Sequence, residues 1–430
     1  MDSTLDFYLQ QLANPLTEFI STIPRGKALR ERMKEQSWKL PNDAVRQLPV
    51  EQRLRLNALI SKNHTPLGRD IEVAEMILDM LEVSLSQKRP SPRSVAERES
   101  RAKDFAKRVL DGSSPSAEAI GRCLFGLPGL GKTRTLRKVL EFIPPVTVND
   151  VVKHPLLLPK TVNYAWAETP SSRQLAALVS NIIIGLGNAV GEDFTKLAKR
   201  GNKSDRLQAL AMLVMELNLG VLIIDELQHV LRKKLEPDLE LTNFIVELSN
   251  CLGVPLLLVG TPQAKYAIGG ALRIARRALG PEWDHLERKS DGWKEFSKAL
   301  IGYQLVRNVA KYEDLEPTLF DLSQGLPGIA VNVFQFAQKN ALLIESDTGQ
   351  PTAITEAVIR AAFERYMWPV APMIDALRSG DTAKLALFMD LYVDEKRMET
   401  YLQARHAAEH NRDQKEFMRM RMAAHGDGKK

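Results

Sequence analysis

The spacing of apolar positions changes character twice along the chain. From Met1 to about Arg108 apolar residues recur every three or four positions, as in Ile71, Ala74, Ile77, Leu78 and Leu81. That is the period of helices with one buried stripe. From about Ala117 to Asn340 short apolar runs alternate with helical patterns, which predicts a parallel sheet joined by crossover helices. The strand candidates are Arg122–Phe125, Val162–Trp166, Val221–Ile224 and Pro255–Gly260. All but the second are nearly continuous apolar runs, as strands covered on both faces require. After Lys294 the pattern is helical again, and no internal repeat is present.

Composition bounds the picture. A chain of 430 residues with 44% hydrophobic and 26% charged residues is globular and long enough for two or three folded units. The 25 Gly and 23 Pro follow no period, which excludes collagenous and low-complexity classes. Cys123 and Cys251 both sit in apolar runs, which suits buried hydrophobes in a reducing compartment and not a disulfide framework or a zinc cluster. Asp2, Asp6 and Glu18 interrupt any secretory signal, and runs such as Val254–Val259 fall far short of the roughly 20 residues of a membrane span. A cytoplasmic protein without a membrane partner is expected. The net charge of +6, from 59 Lys+Arg against 53 Asp+Glu, names no partner by itself. Its distribution is uneven: Gln87 to Arg108 holds eight Lys/Arg against three acids with two prolines, a linker candidate that could also touch nucleic acid or a partner. The tail Lys396–Lys430 is similarly basic, with nine Lys/Arg against five acids.

The segment with the most chemical content is Gly126-Leu127-Pro128-Gly129-Leu130-Gly131-Lys132-Thr133, placed between a predicted strand and a helical run that begins with Arg134. It matches the P-loop pattern G-x-x-x-x-G-K-[ST] in the context that gives the pattern meaning. Glycines let backbone N–H groups curl around phosphate, and the helix N-terminus adds partial positive charge. Lys132 is expected on the β and γ phosphates and Thr133 on Mg²⁺, and the whole run from Gly126 to Arg134 is expected to face the nucleotide. A P-loop calls for a buried strand ending in an acid, and Val221–Glu226 supplies it: Asp225 for the metal, Glu226 as general base toward water. The acidic pair favours ATP over GTP, and no N-K-x-D segment is found near the end of the sheet. Thr261, at the end of the next apolar run, is placed to orient water. Arg273, Arg276 and Arg277 cluster without an intervening acid and suit a finger inserted into a neighbouring subunit's nucleotide.

These blocks together carry a resemblance. The P-loop, Leu222–Val230 (LIIDELQHV), Val259–Ala264 (VGTPQA) and the ArgArg that follows resemble AAA+ ATPases of the TnsC/TniB type, which regulate transposition. Trp293–Gln304 and Ile354–Asp381, the latter containing ALRSGD, are more similar to TnsC than to the shorter TniB proteins. The resemblance implies an α/β fold: a P-loop AAA+ parallel sheet with a helical lid, plus helical N-terminal and C-terminal extensions. The expected division is a helical N-terminal region at 1–108, offered as a partner contact, an ATPase core at 109–296, a lid at 297–345 and a C-terminal extension with basic tail at 346–430. It further implies a bacterial cytosolic protein that uses ATP and Mg²⁺ and oligomerises as a ring or filament on duplex DNA. Such a protein links a target selector of the TniQ/TnsD type, sometimes with a CRISPR effector, to the transposase, and its ATP hydrolysis then dismantles or trims the assembly.

Lys153, Lys160 and Arg173 around the second strand, and Arg232, Lys233 and Lys234 after the acidic one, are candidate phosphate contacts, with a solvated surface as the alternative for each. Tyr164 and Trp166 are read as core residues, and His229 as a packing residue or a support to the site. The sequence departs from the AAA+ pattern once, offering Asn332 where the lid commonly holds an arginine. Two other functions fit the same motifs: an AAA+ replication initiator or helicase loader, and a signalling ATPase that oligomerises without DNA.

Overall fold

The structure is a computed structural model and describes residues 14–88, 100, 104–111, 121–172, 174–230, 239–262, 264 and 278–380. In chain order its strands are β1 (Gly121–Gly126), β2 (Val146–Val148), β3 (Lys160–Val162), β4 (Tyr164–Glu168), β5 (Val221–Asp225), β6 (Leu256–Gly260), β7 (Ala278–Leu279) and β8 (Glu282–Trp283). The main sheet has the order β4-β5-β6-β1-β7, with β8 also beside β1, and all of these pairings are parallel. Strand β6 therefore lies between the P-loop strand and the acidic strand.

Alternate residues of the central strands enter different cores. Leu124, Val221, Ile223, Leu257 and Val259 face one cluster, whereas Cys123, Phe125, Leu222, Ile224, Leu256 and Leu258 face the other. Both faces are covered, which is why these runs lack alternation in the sequence. The second strand candidate is split. Val162 ends β3, which pairs antiparallel with β2 in a separate ribbon, and β4 begins at Tyr164. The break is Asn163, fully buried, whose Nδ2 donates to the Pro144 carbonyl and to Thr147 Oγ1, each at 2.8 Å. A buried amide NH2 must find such acceptors, and β2 with Pro144 ahead of it provides them. Tyr164 and Trp166 are half-buried against the first core, and Cys123 and Cys251 are buried and form no disulfide.

Helices cover both faces: α1 (Gly26–Glu35), α2 (Val50–Leu59), α3 (Gly68–Gln87) and α4 (Lys132–Leu140) on the first, α5 (Leu175–Val190), α6 (Lys203–Glu216) and α7 (Leu239–Leu252) on the second. Phe105, in the helical segment 104–111, is fully buried, and its ring centroid lies 6.2 Å from that of Phe244 on α7. The helical bundle that follows comprises α8 (Asp291–Gly302), α9 (Tyr312–Ser323), α10 (Pro327–Thr348), α11 (Glu356–Tyr366) and α12 (Ala371–Ser379). It starts at Asp291 because Ser290 Oγ caps α8 by accepting from the Trp293 N–H, and α10 continues unbroken to Thr348. Arg378, in the ALRSGD block, fastens α12 to α9 through Asp321 Oδ1 at 3.0 Å and the Asp321 carbonyl at 2.9 Å. Among the described residues no helix is long and apolar enough to cross a membrane.

The N-terminal helices are no appendage. Leu29, Ile77, Leu78, Leu81 and Leu85 belong to the same cluster as Leu124 of β1 and Val333 and Phe334 of α10. A buried polar network ties α2 to α10. Arg53, without solvent exposure, donates to both carboxylate oxygens of Glu345 at 2.6 and 3.1 Å and to the Leu305 carbonyl at 3.1 Å. Beside it Asn57 Nδ2 donates to the Gln335 carbonyl at 3.0 Å, and Gln338 Nε2 donates to Asn57 Oδ1 at 3.0 Å. Removing Arg53 leaves Glu345 with the partial compensation of Arg307, 3.4 Å from its Oε1, a loss of about 3 kcal/mol, the lower end for a broken buried pair. Arg53→Ala is therefore expected to lower stability by that amount in denaturant unfolding, and a loss below about 1 kcal/mol would contradict the clamp.

Candidate functional site

The site lies where β1, β5 and β6 end. After β1 the chain turns through Gly129 and Gly131, whose φ angles of 84° and 89° fall in the left-handed region that favours glycine, and Gly131 caps α4. The loop thereby presents the N-terminus of α4 together with Lys132 and Thr133. Thr133 Oγ1 donates to Asp225 Oδ2 at 2.9 Å, joining the P-loop helix to the end of β5. Asp225 is buried, and its Oδ1 accepts from the Glu226 N–H at 2.8 Å. Two hard oxygen donors so close together are the type of pair Mg²⁺ takes, so the residues fit that ion.

Lys132 folds back over its own loop, donating to the carbonyls of Gly126 at 2.6 Å and Leu127 at 3.0 Å. Burial strips water from the ammonium and brings its pKa down to about 8, against the opposing pull of Asp225 and Glu226. Glu226 adopts φ 57°, an uncommon left-handed conformation for a residue with a side chain. Its carboxylate accepts from Gln228 Nε2, while Gln228 Oε1 accepts from the Thr261 N–H at 3.1 Å. Thr261 is buried at the end of β6, between the P-loop and the acidic pair. His229 Nδ1 lies 3.1 Å from the Thr169 carbonyl, a supporting contact outside the loop.

A cavity of about 270 Å³ adjoins the P-loop, lined by Ser61, Asn63 and His64 from the N-terminal region, Gly129 and Gly131 from the loop, and Ile329 and Asn332 from the start of α10. Three regions far apart in sequence thus make one recess. The Gly328 N–H donates to the Gly129 carbonyl at 2.8 Å, which docks the first turn of α10 on the P-loop. Arg134, expected to face a nucleotide, donates through both terminal nitrogens to the carbonyls of Ser61 and Asn63 and also borders the recess. Arg69 donates to the Leu130 carbonyl at 2.9 Å and lies 4.7 Å over the Trp283 ring.

Asp70 was not singled out by sequence. It is buried, accepting from Thr135 Oγ1 at 2.7 Å and the Leu67 N–H at 2.6 Å and sitting 2.9 Å from His64 Nε2. Burial alone would raise its pKa; the hydrogen bonds, led by His64, prevail and hold it below the ordinary carboxylate value. A lone aspartate in the first turn of a helix reads as a cap, so its second partner on α4 left no sequence signal.

Among the candidate DNA contacts, Lys153 and Lys160 lie in the β2–β3 region, paired with Asp150 at 3.6 Å and Glu192 at 4.0 Å. Arg173, Arg232, Lys233 and Lys234 lie outside the described residues, as do Arg273, Arg276 and Arg277.

Residues 122–267 match the family model described as an AAA domain. A search of the curated proteins finds no match. Among solved structures the chain is similar to the Aeropyrum pernix ORC2 protein in its ADPNP–ADP complexes, at 18% identity and a TM-score of 0.39, covering 63% of this chain and 67% of that one. The ADP form gives 19% identity, a TM-score of 0.39, and coverage of 62% and 67%. The Aeropyrum pernix ORC1 protein in complex with DNA gives 15% identity, a TM-score of 0.35, and coverage of 64% and 67%. The strand order, the glycine loop and the matched segment 122–267 agree: the chain carries a P-loop fold of the AAA+ type with helical regions before and after it.

Proposed function

We propose that the chain is an ATPase that assembles on duplex DNA and regulates transposition. The observation that supports hydrolysis most directly is the junction of Thr133, Asp225 and Glu226 at the mouth of the P-loop. In this reading the α4 N-terminus and Lys132 hold the β and γ phosphates of ATP, and the recess between Asn63 and Ile329 takes the nucleoside. Mg²⁺ held by Thr133 and Asp225 would neutralise phosphate charge. Glu226 accepts the proton of a water whose oxygen bonds to the γ-phosphorus as the bond to the bridging oxygen breaks, leaving ADP and phosphate. Thr261 fixes that water from the end of β6.

Arg273, Arg276 and Arg277 are assigned in trans to the nucleotide of a neighbouring copy. The link to a TniQ/TnsD-type selector and to a transposase rests on the sequence blocks ending in ALRSGD. Lys153, in the connection between β2 and β3 that exposes Val152, and Lys160, on β3 opposite the exposed Val148, are assigned to DNA phosphates. Electron microscopy with a slowly hydrolysed ATP analogue, with and without duplex DNA, tests the reading. Rings or filaments are expected only with both, and they should be lost between 50 and roughly 200 mM salt as counterions compete. Assembly indifferent to duplex would replace it by the DNA-independent signalling function.

A further inference from the structure

We infer that Gln228 is a positioning residue that holds Glu226 and the end of β6 in fixed relation, so that the base and Thr261 meet the same water. The inference rests on the ATPase reading of the site and deepens it. Three observations converge on this side chain. Its Nε2 donates to Glu226 Oε2, and its Oε1 accepts from the Thr261 N–H at 3.1 Å, so one amide spans the two strand ends. Glu226 sits at φ 57°, where an L-residue pays for its conformation and persists only if its surroundings fix it. Finally, Gly260 leaves the amide its space: a Cβ at that position would lie 2.9 Å from Gln228 Oε1.

The chemistry follows from the roles of the two ends. A primary amide offers a donor at one end and an acceptor at the other, which is the polarity needed between a carboxylate and a backbone N–H. With Oε2 engaged by Gln228, the other oxygen of Glu226 is left to take the proton from water. A glutamate at position 228 could still accept from Thr261 but would turn a second carboxylate toward Glu226, and a methionine would fill the space and do neither. These two variants separate orientation of the base from simple anchoring of the β6 end.

The experiment measures steady-state ATP hydrolysis by the full chain with duplex DNA, and the affinity for a slowly hydrolysed ATP analogue, for wild type, Gln228→Met, Gln228→Glu and Glu226→Gln. Both Gln228 variants are expected to lose about 10- to 100-fold in kcat with analogue affinity and KM within about twofold of wild type. If Gln228→Glu keeps wild-type kcat while Gln228→Met loses it, the residue only anchors Thr261, and the inference is overturned. Equal loss of affinity and kcat in both variants would likewise overturn it, because a general disturbance of the pocket explains that pattern. Wild type that binds the analogue but hydrolyses no ATP removes the ATPase reading itself, and the inference with it. Wild-type hydrolysis with unaffected Gln228 variants removes the inference alone.

Discussion

Lys132→Ala is expected to weaken binding of ATP and its slowly hydrolysed analogues by at least about a hundredfold and to abolish nucleotide-dependent assembly, because two or more charge-assisted hydrogen bonds to phosphate disappear. Lys132 is held against its own loop. Its ammonium is satisfied by the carbonyls of Gly126 and Leu127, and phosphate must take over those bonds. Burial places its pKa at about 8, so near neutrality it is largely charged and ready for an anion. Phosphate stabilises the charged form and raises the pKa in the complex, so binding above pH 8 requires uptake of a proton. Affinity should therefore be flat below pH 8 and fall as pH rises beyond it, approaching about tenfold per unit until the complex itself titrates. Isothermal titration from pH 7 to 9.5 reads this directly. Unimpaired binding by the variant would remove Lys132 from the phosphate site, and affinity independent of pH over that range would mean that burial does not lower its pKa.

Glu226→Gln is expected to reduce hydrolysis by about 10²- to 10⁴-fold, the usual contribution of a general base, while leaving nucleotide affinity in place. The substitution keeps the size of the side chain and removes the proton acceptor. Assemblies on DNA should then form as in wild type and persist, since the step that dismantles them has been slowed. Single-turnover hydrolysis and the lifetime of assemblies after dilution are the two measurements. Short-lived assemblies with hydrolysis intact would mean that another group activates the water.

Strands β1, β5 and β6 and the place of the P-loop were legible because they depend on local rules. Each strand is a short apolar run, each run ends in a residue with chemistry, and glycines mark the turn that must reach φ near 90° at Gly131. Tyr164 and Trp166 were also read correctly as packing residues. What escaped was the part that depends on distant contacts. Asn163 breaks an apparently single strand because of a hairpin partner nearby in space, and no periodicity encodes that. Arg53 reads as a polar helix position until Glu345, 292 residues away, is seen beneath it. Asp70 and Arg134 similarly reveal their roles only through Thr135, Ser61 and Asn63. Gln228 lay within a recognised block, but nothing in the order of residues says that its amide bridges to Thr261.

The sharing of one apolar core by α3, β1 and α10 bears on how the protein could be divided. The segment recognisable as an AAA domain, 122–267, is smaller than the piece that would fold. Excised at those borders, it would keep α4 but lose α3 and α10, leaving part of the face that carries Leu124, Val221, Ile223, Leu257 and Val259 open to water as an apolar patch prone to aggregation. Recombination that exchanged only the recognisable segment between relatives would carry the same penalty. The unit that folds together reaches back at least to α2, whose Arg53 is paired with Glu345 of α10.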